Sequence, residues 1–222
     1  MENINGNIKP NKPSYVLSLD ISTSTIGIAL FEDNGKTGEL KLLHHVTPNV
    51  KPKPSNKMEE LFRKVEIFNN EFLNKYKDFG IARVIIEEPL LQSNNVYTIA
   101  TLLRFNGMIS KSVYDVIGIV PDFISSYDAR KYAFPELMAV RKFKKDGTPL
   151  PEKQIAKNEP VLFGDYDFNV DKKMVIFEKV CELQPQIKWF FDKNNKLKKE
   201  NFDMSDAVTC ALGFMKMRGY WE

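Results

Sequence analysis

The chain has 222 residues, of which 43% are hydrophobic and 12% aromatic, enough to fill a sizeable core and to exclude wholesale disorder. Lys and Arg total 32 against 29 Asp and Glu, a net charge of +3, which excludes a polybasic coating protein but leaves room for a local basic groove. The excess is concentrated in residues 128–200, with 16 Lys and Arg against 12 Asp and Glu, so a polyanion is expected to meet that part of the chain.

Residues 1–13 are rich in Asn, Lys and Pro without periodicity, and read as a flexible arm lacking the apolar stretch of a leader. Tyr15 to Leu19 is an apolar run ending at Asp20, followed by the polar turn Ser22-Thr23-Ser24-Thr25. Ile26 to Phe31 and Leu40 to Val46, separated by Asn34-Gly35, complete a predicted three-strand antiparallel meander. Beyond the prolines 48, 52 and 54, the spacing of Leu61, Val65, Phe68, Phe72 and Tyr76 predicts an amphipathic helix. Val84-Ile85-Ile86 has the β-branched character of a strand buried on both faces, and stops at Glu87-Glu88-Pro89.

Residues 95–116 predict a second long helix, and Phe123 to Ser125 a short strand. A short helix and an irregular insertion, about 132–170, come next, with four prolines between 135 and 160 and a Lys142-Lys144-Lys145 group. Helices are expected again at 171–183 and from Met204 to Met217, separated by a lysine-rich stretch. The order predicts an α/β fold with a mixed sheet, and residues 14–222 are expected to form one domain. Cys181 and Cys210 make no CxxC pair and fit apolar helical patterns. No run of about 18 apolar residues is present to span a bilayer. A cytoplasmic setting without a membrane partner is expected.

Four carboxylate positions stand out. Asp20 closes the first strand, Glu87 or Glu88 closes the fourth, and Asp203 and Asp206 share one face of the last helix. Each has a structural role open to it: a strand end, an N-cap, or a complement to the helix dipole. Together they offer the oxygen ligands that a hard divalent cation requires.

"VLSLDISTSTIGIALF", "VIIEEP" and "DMSDAVTCALGF", in that order, resemble the RuvC-type Holliday junction resolvases of the RNase H-like superfamily, in a divergent phage or viral branch. The resemblance runs from Tyr15 to Met217. It implies an RNase H-like mixed five-stranded sheet, three antiparallel strands then two parallel, flanked by helices. It implies that Asp20, Glu87, Asp203 and Asp206 hold two Mg²⁺ ions, with Mn²⁺ as a substitute, and hydrolyse phosphodiesters in branched DNA such as a four-way junction. Gly27 matches a glycine of the second strand. "SSYDARKYAF" and the lysine-bearing helix after the insertion imply DNA contacts from Arg130, Lys131, Lys172 and Lys173. A homodimer is also implied, and the surplus apolar residues of helix 95–116, around Phe105 and Met108, serve either the core alone or the core plus a dimer seam.

The alternatives are an RNase H or flap-type nuclease, or a catalytically idle module that binds branched nucleic acid by shape. An actin-like or sugar-kinase ATPase needs a second, glycine-rich phosphate loop, and the 11 glycines here form no cluster. The aromatic run Trp189-Phe190-Phe191, flanked by lysines, fits either docking to the core or stacking on an unpaired base. His44 and His45 lack a zinc-ligand pattern and are taken as structural.

Overall fold

The computed structural model describes residues 13–89 and 95–222, so the expected N-terminal arm lies, Pro13 apart, outside the described residues. Strands β1 (Ser14–Ile21), β2 (Ile26–Asp33) and β3 (Gly38–Val46) form the antiparallel meander. Helix α1 (Lys57–Phe68), a π turn (Asn69–Leu73) and the short α2 (Asn74–Tyr76) then cross to β4 (Ile81–Glu87), which runs parallel to β1. Helix α3 (Val96–Ile117) crosses to β5 (Asp122–Ile124), parallel to β4. The spatial order is β3-β2-β1-β4-β5, the mixed α/β sheet expected from the sequence.

β1 is flanked on both sides and covered on both faces. Because successive strand residues point to opposite faces, its apolar run serves two cores at once. Val16, with Ala29, Phe31 and Ile85, packs toward the later helices. Leu17 and Leu19, with Ile28, Leu30, Val84 and Ile86, pack toward α1 and α3. Phe105 is fully buried in this second core, while Met108 is only partly buried, so Phe105 serves the core and leaves Met108 for any seam.

The other layer is made by α4 (Ser126–Ala133), α6 (Lys172–Leu183) and α7 (Glu200–Met217). Between α4 and α6 the insertion holds a 3₁₀ turn (Pro135–Leu137), a two-stranded ribbon of β6 (Met138–Val140) and β7 (Pro160–Leu162), and the one-turn α5 (Glu152–Ile155). It is pinned to the core through Leu137 and Phe163. Helix α7 begins at Glu200, four residues earlier than the apolar spacing predicts. Asp203 therefore sits inside the first turn, and the N-cap position belongs to Lys199.

Two glycines let α7 reach its place. A Cβ at Gly27 would stand 2.1 Å from the Asp203 carbonyl oxygen, and a Cβ at Gly213 would stand 2.3 Å from the Ala129 carbonyl oxygen. Bare backbone at both positions allows the helix to lie on β2 and against α4.

Candidate metal centre

Sheet register and strand direction bring the first two acids together. β1 and β4 are parallel, with Leu19 beside Ile86, so Asp20 and Glu87 follow one residue later at the same carboxyl edge. Both share the face of Val16 and Ile85, the face that α7 covers. Helix α7 presents Asp206 to them. Asp20, Glu87 and Asp206 each offer a ligand atom, and these atoms lie within 4.8 Å of one another. Asp203, one turn back, lies outside that trio but adds its negative charge to the field at Asp20. Glu88 is exposed, its backbone N–H donating to the Ile124 carbonyl, so Glu87 is the glutamate that faces the cluster.

Proximity and burial show in the acidities. Burial pushes the Asp20 carboxyl well above its ordinary value, and the charges of Glu87, Asp206 and Asp203 push it further. Glu87 rises to about 7, through burial and then Asp206, with Arg130 opposing. Asp203 rises to about 6 by burial, with Lys173 opposing. Asp206 is also raised by burial, and Arg130 and Lys173 hold it down. Four acids that resist ionising together are what crowding of like charges in a desolvated cleft produces. An all-oxygen donor set whose repulsion a cation would relieve fits Mg²⁺, Mn²⁺ or Ca²⁺ better than the softer transition metals.

Two cations lean over the acids from separate helices. Helix α4 is capped by Ser125, whose hydroxyl accepts from the Asp128 N–H at 3.0 Å, and in its second turn it carries Arg130. The Arg130 guanidinium lies 3.4 Å from Asp206 Oδ1, with both side chains largely buried. Helix α6 starts at Asp171, whose carboxylate caps the N–H groups of Lys173 and Met174. Lys173 favours the ionised form of all four carboxyls, opposing the upward push of burial. The other two basic residues named from the sequence face elsewhere: Lys131 Nζ lies 5.3 Å over the Tyr132 ring, and Lys172 Nζ 6.0 Å over Phe163.

Sequence reasoning missed the role of Cys210. Its buried Sγ donates to Glu87 Oε2 at 3.6 Å from one turn beyond Asp206. The i, i+4 spacing from Asp206 was the available signal.

No protein-family model matches the sequence, and no curated protein does. Among solved structures, the chain is similar to the Thermus thermophilus RuvC structure, with a TM-score of 0.52 and 14% identity over 93% of this chain and 97% of that one. It is equally similar to T. thermophilus RuvC in complex with a Holliday junction substrate, at a TM-score of 0.52 and 13% identity over the same shares. The fold is therefore RuvC-like, of the RNase H type.

Proposed function

We propose that the protein is a divalent-metal-dependent endonuclease that cuts branched DNA, with Asp20, Glu87, Asp203 and Asp206 as its metal-binding acids. The convergence of Asp20, Glu87 and Asp206 within 4.8 Å at the carboxyl edge of two parallel strands carries this reading. The Holliday junction bound by the similar RuvC supports a branched substrate. The number of ions, two by the resemblance, and Mg²⁺ as the physiological metal belong to the same proposal.

Asp20, Glu87, Asp203 and Asp206 would hold such ions, whose chemistry would be to lower the pKa of a bound water and to stabilise an oxyanion leaving group. The chain itself does the remaining work. Asp20 and Glu87, fixed by the β1–β4 register, and the α7 carboxylates form a floor of oxygen ligands. Lys173, exposed in the first turn of α6, brings positive charge to the acids, and a phosphate approaching four carboxylates needs such compensation. Arg130 opposes the effect of burial on Asp206 and, at 3.4 Å, holds that carboxylate in place. Cys210 donates to the Glu87 oxygen beneath the cluster and so fixes the orientation of that carboxylate. Dimerisation, which would pair two such sites for symmetric cuts, fits the α1–α3 face, where Met108 and Val65 line a groove with the exposed Phe62.

The test is cleavage of labelled four-way junction, flap, linear duplex and RNA–DNA hybrid with Mg²⁺, Mn²⁺ or EDTA. Paired symmetric nicks in the junction, absent with EDTA and with Asp20→Asn, are expected. Cutting of the hybrid in preference to the junction makes the protein an RNase H, and tight junction binding with no cleavage makes it a shape-reading module.

A further inference from the structure

The segment joining α6 to α7 carries an arrangement that the metal centre does not use. Trp189, Phe190 and Phe191 precede Asp192-Lys193-Asn194-Asn195-Lys196, a run of turn formers and lysines. The turn is closed by Asp192. Its N–H donates to the Lys196 carbonyl at 2.8 Å, and its carboxylate accepts from the N–H groups of Asn194 and Lys196. Asn195 takes the left-handed conformation the turn needs, with φ 58°. Phe191 bridges to Leu197, and the Lys198 N–H donates to the Phe190 carbonyl, giving a short β-hairpin over 190–198.

The base of this hairpin is clamped. Asn201 is fully buried, accepts from the Phe190 N–H at 3.0 Å and donates to its carbonyl at 2.7 Å. Asn201 lies two residues before Asp203, so the hairpin and the metal-binding turn of α7 are parts of one rigid piece. The three aromatics divide by role. Trp189 docks inward, edge-on to Phe177 at 4.7 Å. Phe190 and Phe191 stay 42% and 52% exposed, Phe190 resting against the His45 ring at 5.3 Å.

The charge around them is predominantly positive, Asp192 and Glu200 being the acids of residues 188–200. Lys188, Lys193, Lys196, Lys198 and Lys199 are all exposed, and none forms an ion pair among the described residues. Asp192 spends its charge inside the turn. Two of the insertion's lysines are engaged by contrast: Lys142 pairs with Asp165 at 2.6 Å, and Lys145 lies over the Phe168 ring. Lys199 reaches far enough to stabilise the Asp203 carboxylate, which makes the basic surface continuous with the metal centre.

We infer that the 190–198 hairpin docks DNA beside the metal centre, with Phe191 as a stacking platform for an unstacked base and the surrounding lysines on the flanking phosphates. The inference rests on the nuclease reading and names what the protein holds next to its cleavage site. Exposed rings ringed by lysine match a polyanion with π faces, because aromatic stacking accepts any base. A protein-facing apolar patch is poor in lysine. The clamp by Asn201 means that little conformational freedom is lost on binding.

The experiment uses the full chain with a four-way junction carrying 2-aminopurine at the branch point, in Ca²⁺ and separately in EDTA. The wild type is expected to quench the probe. Phe191→Ala should lose that quenching and bind the junction on the order of tenfold more weakly, the size of one lost base stack. Phe191→Tyr should restore both. The double variant Lys196→Gln, Lys198→Gln removes no packing, and should reduce the salt dependence of binding by about one to two contacts even if Phe191→Ala misfolds. Unchanged quenching and affinity in Phe191→Ala, with an unchanged salt slope in the lysine variant, overturns the inference. So does a Phe191→Ala variant that loses only self-association. The two readings fail separately: a wild type that binds and quenches but cuts nothing sinks the nuclease reading alone, whereas normal cutting with an indifferent hairpin sinks this one alone.

Discussion

Gly27 and Asp203 meet backbone to backbone: a Cβ on Gly27 would lie 2.1 Å from the Asp203 carbonyl oxygen and 2.8 Å from the Met204 nitrogen. Gly27 is also the direct cross-strand partner of Asp20. One residue without a side chain thus sets the separation between the acid of β1 and the acids of α7. Gly27→Ala is expected to push α7 outward, at a cost of about 1–3 kcal/mol from overpacking. Chemical denaturation should show the lower midpoint. Metal binding measured by calorimetry should weaken in the same variant, because the α7 ligands retreat from Asp20. Full metal affinity in a destabilised Gly27→Ala would separate the contact from the site.

Removing one of the crowded acids should make the metal-free chain more stable while ending catalysis. Asp20 is raised by burial and by three neighbouring carboxylates, so the charged cluster strains the fold. Asp20→Asn relieves that repulsion and is expected to raise the melting temperature in EDTA, by roughly 2–4 °C per kcal/mol recovered in a chain of this size. Cleavage should fall below detection, and junction binding should persist. A variant less stable than wild type in EDTA would contradict the charge argument.

The same crowding fixes a pH dependence. An unfolded carboxyl releases its proton near pH ~4. In the folded chain Glu87 holds its proton to about 7 and Asp203 to about 6. Between those limits the folded state binds more protons than the unfolded state, so the contribution is fully present below pH ~4 and is lost as pH rises through 6 and 7. Metal-free stability should therefore decline from pH 5 to pH 8 more steeply in wild type than in Glu87→Gln, and Ca²⁺ should flatten the decline. Parallel pH profiles for the two proteins would refute it.

Lys173 and Arg130 oppose the acids from different directions, and their removal should be distinguishable. Lys173→Ala takes an exposed cation from beside the acids. Metal ions should then bind more tightly, while turnover falls by about 10²-fold or more for want of charge opposite the phosphate. Arg130→Ala leaves Asp206 without its partner at 3.4 Å, and its acidity should weaken further. Its signature is a cleavage profile displaced toward higher pH, which Lys173→Ala should show less strongly because its charge is shared among four carboxyls.

The sheet was legible because its signals are local. The runs at β1, β2 and β4 are apolar, β-rich and end at turn residues or acids, and the register then follows from burial. Asp20 and Glu87 were legible because each closes an apolar strand, and Asp206 because it stands just before the apolar spacing of α7, in whose second turn it lies. Other features depend on residues distant in sequence. The pairing of Arg130 with Asp206 spans 76 positions, and the Cys210 thiol meets Glu87 across 123. No periodicity encodes such contacts. Lys131 and Lys172 show the same limit, since adjacent lysines on a helix point different ways and only Arg130 and Lys173 turn toward the acids. The early start of α7 was hidden because its first turn, Glu200-Asn201-Phe202-Asp203, is mostly polar, and what stabilises it is the Asn201 clamp on Phe190.

Gly27 and Gly213 seat α7 at two points, one on the sheet and one on α4, so close backbone contact fixes the helix's position in addition to its buried side chains. Evolution can therefore vary the site unequally. The two glycines and the acids near them admit almost no substitution. The insertion between α4 and α6 stands between the two helices that deliver the positive charges, and its outer part, residues 141–159 between the anchors Leu137 and Phe163, can change length or sequence while the floor of carboxylates stays where it is.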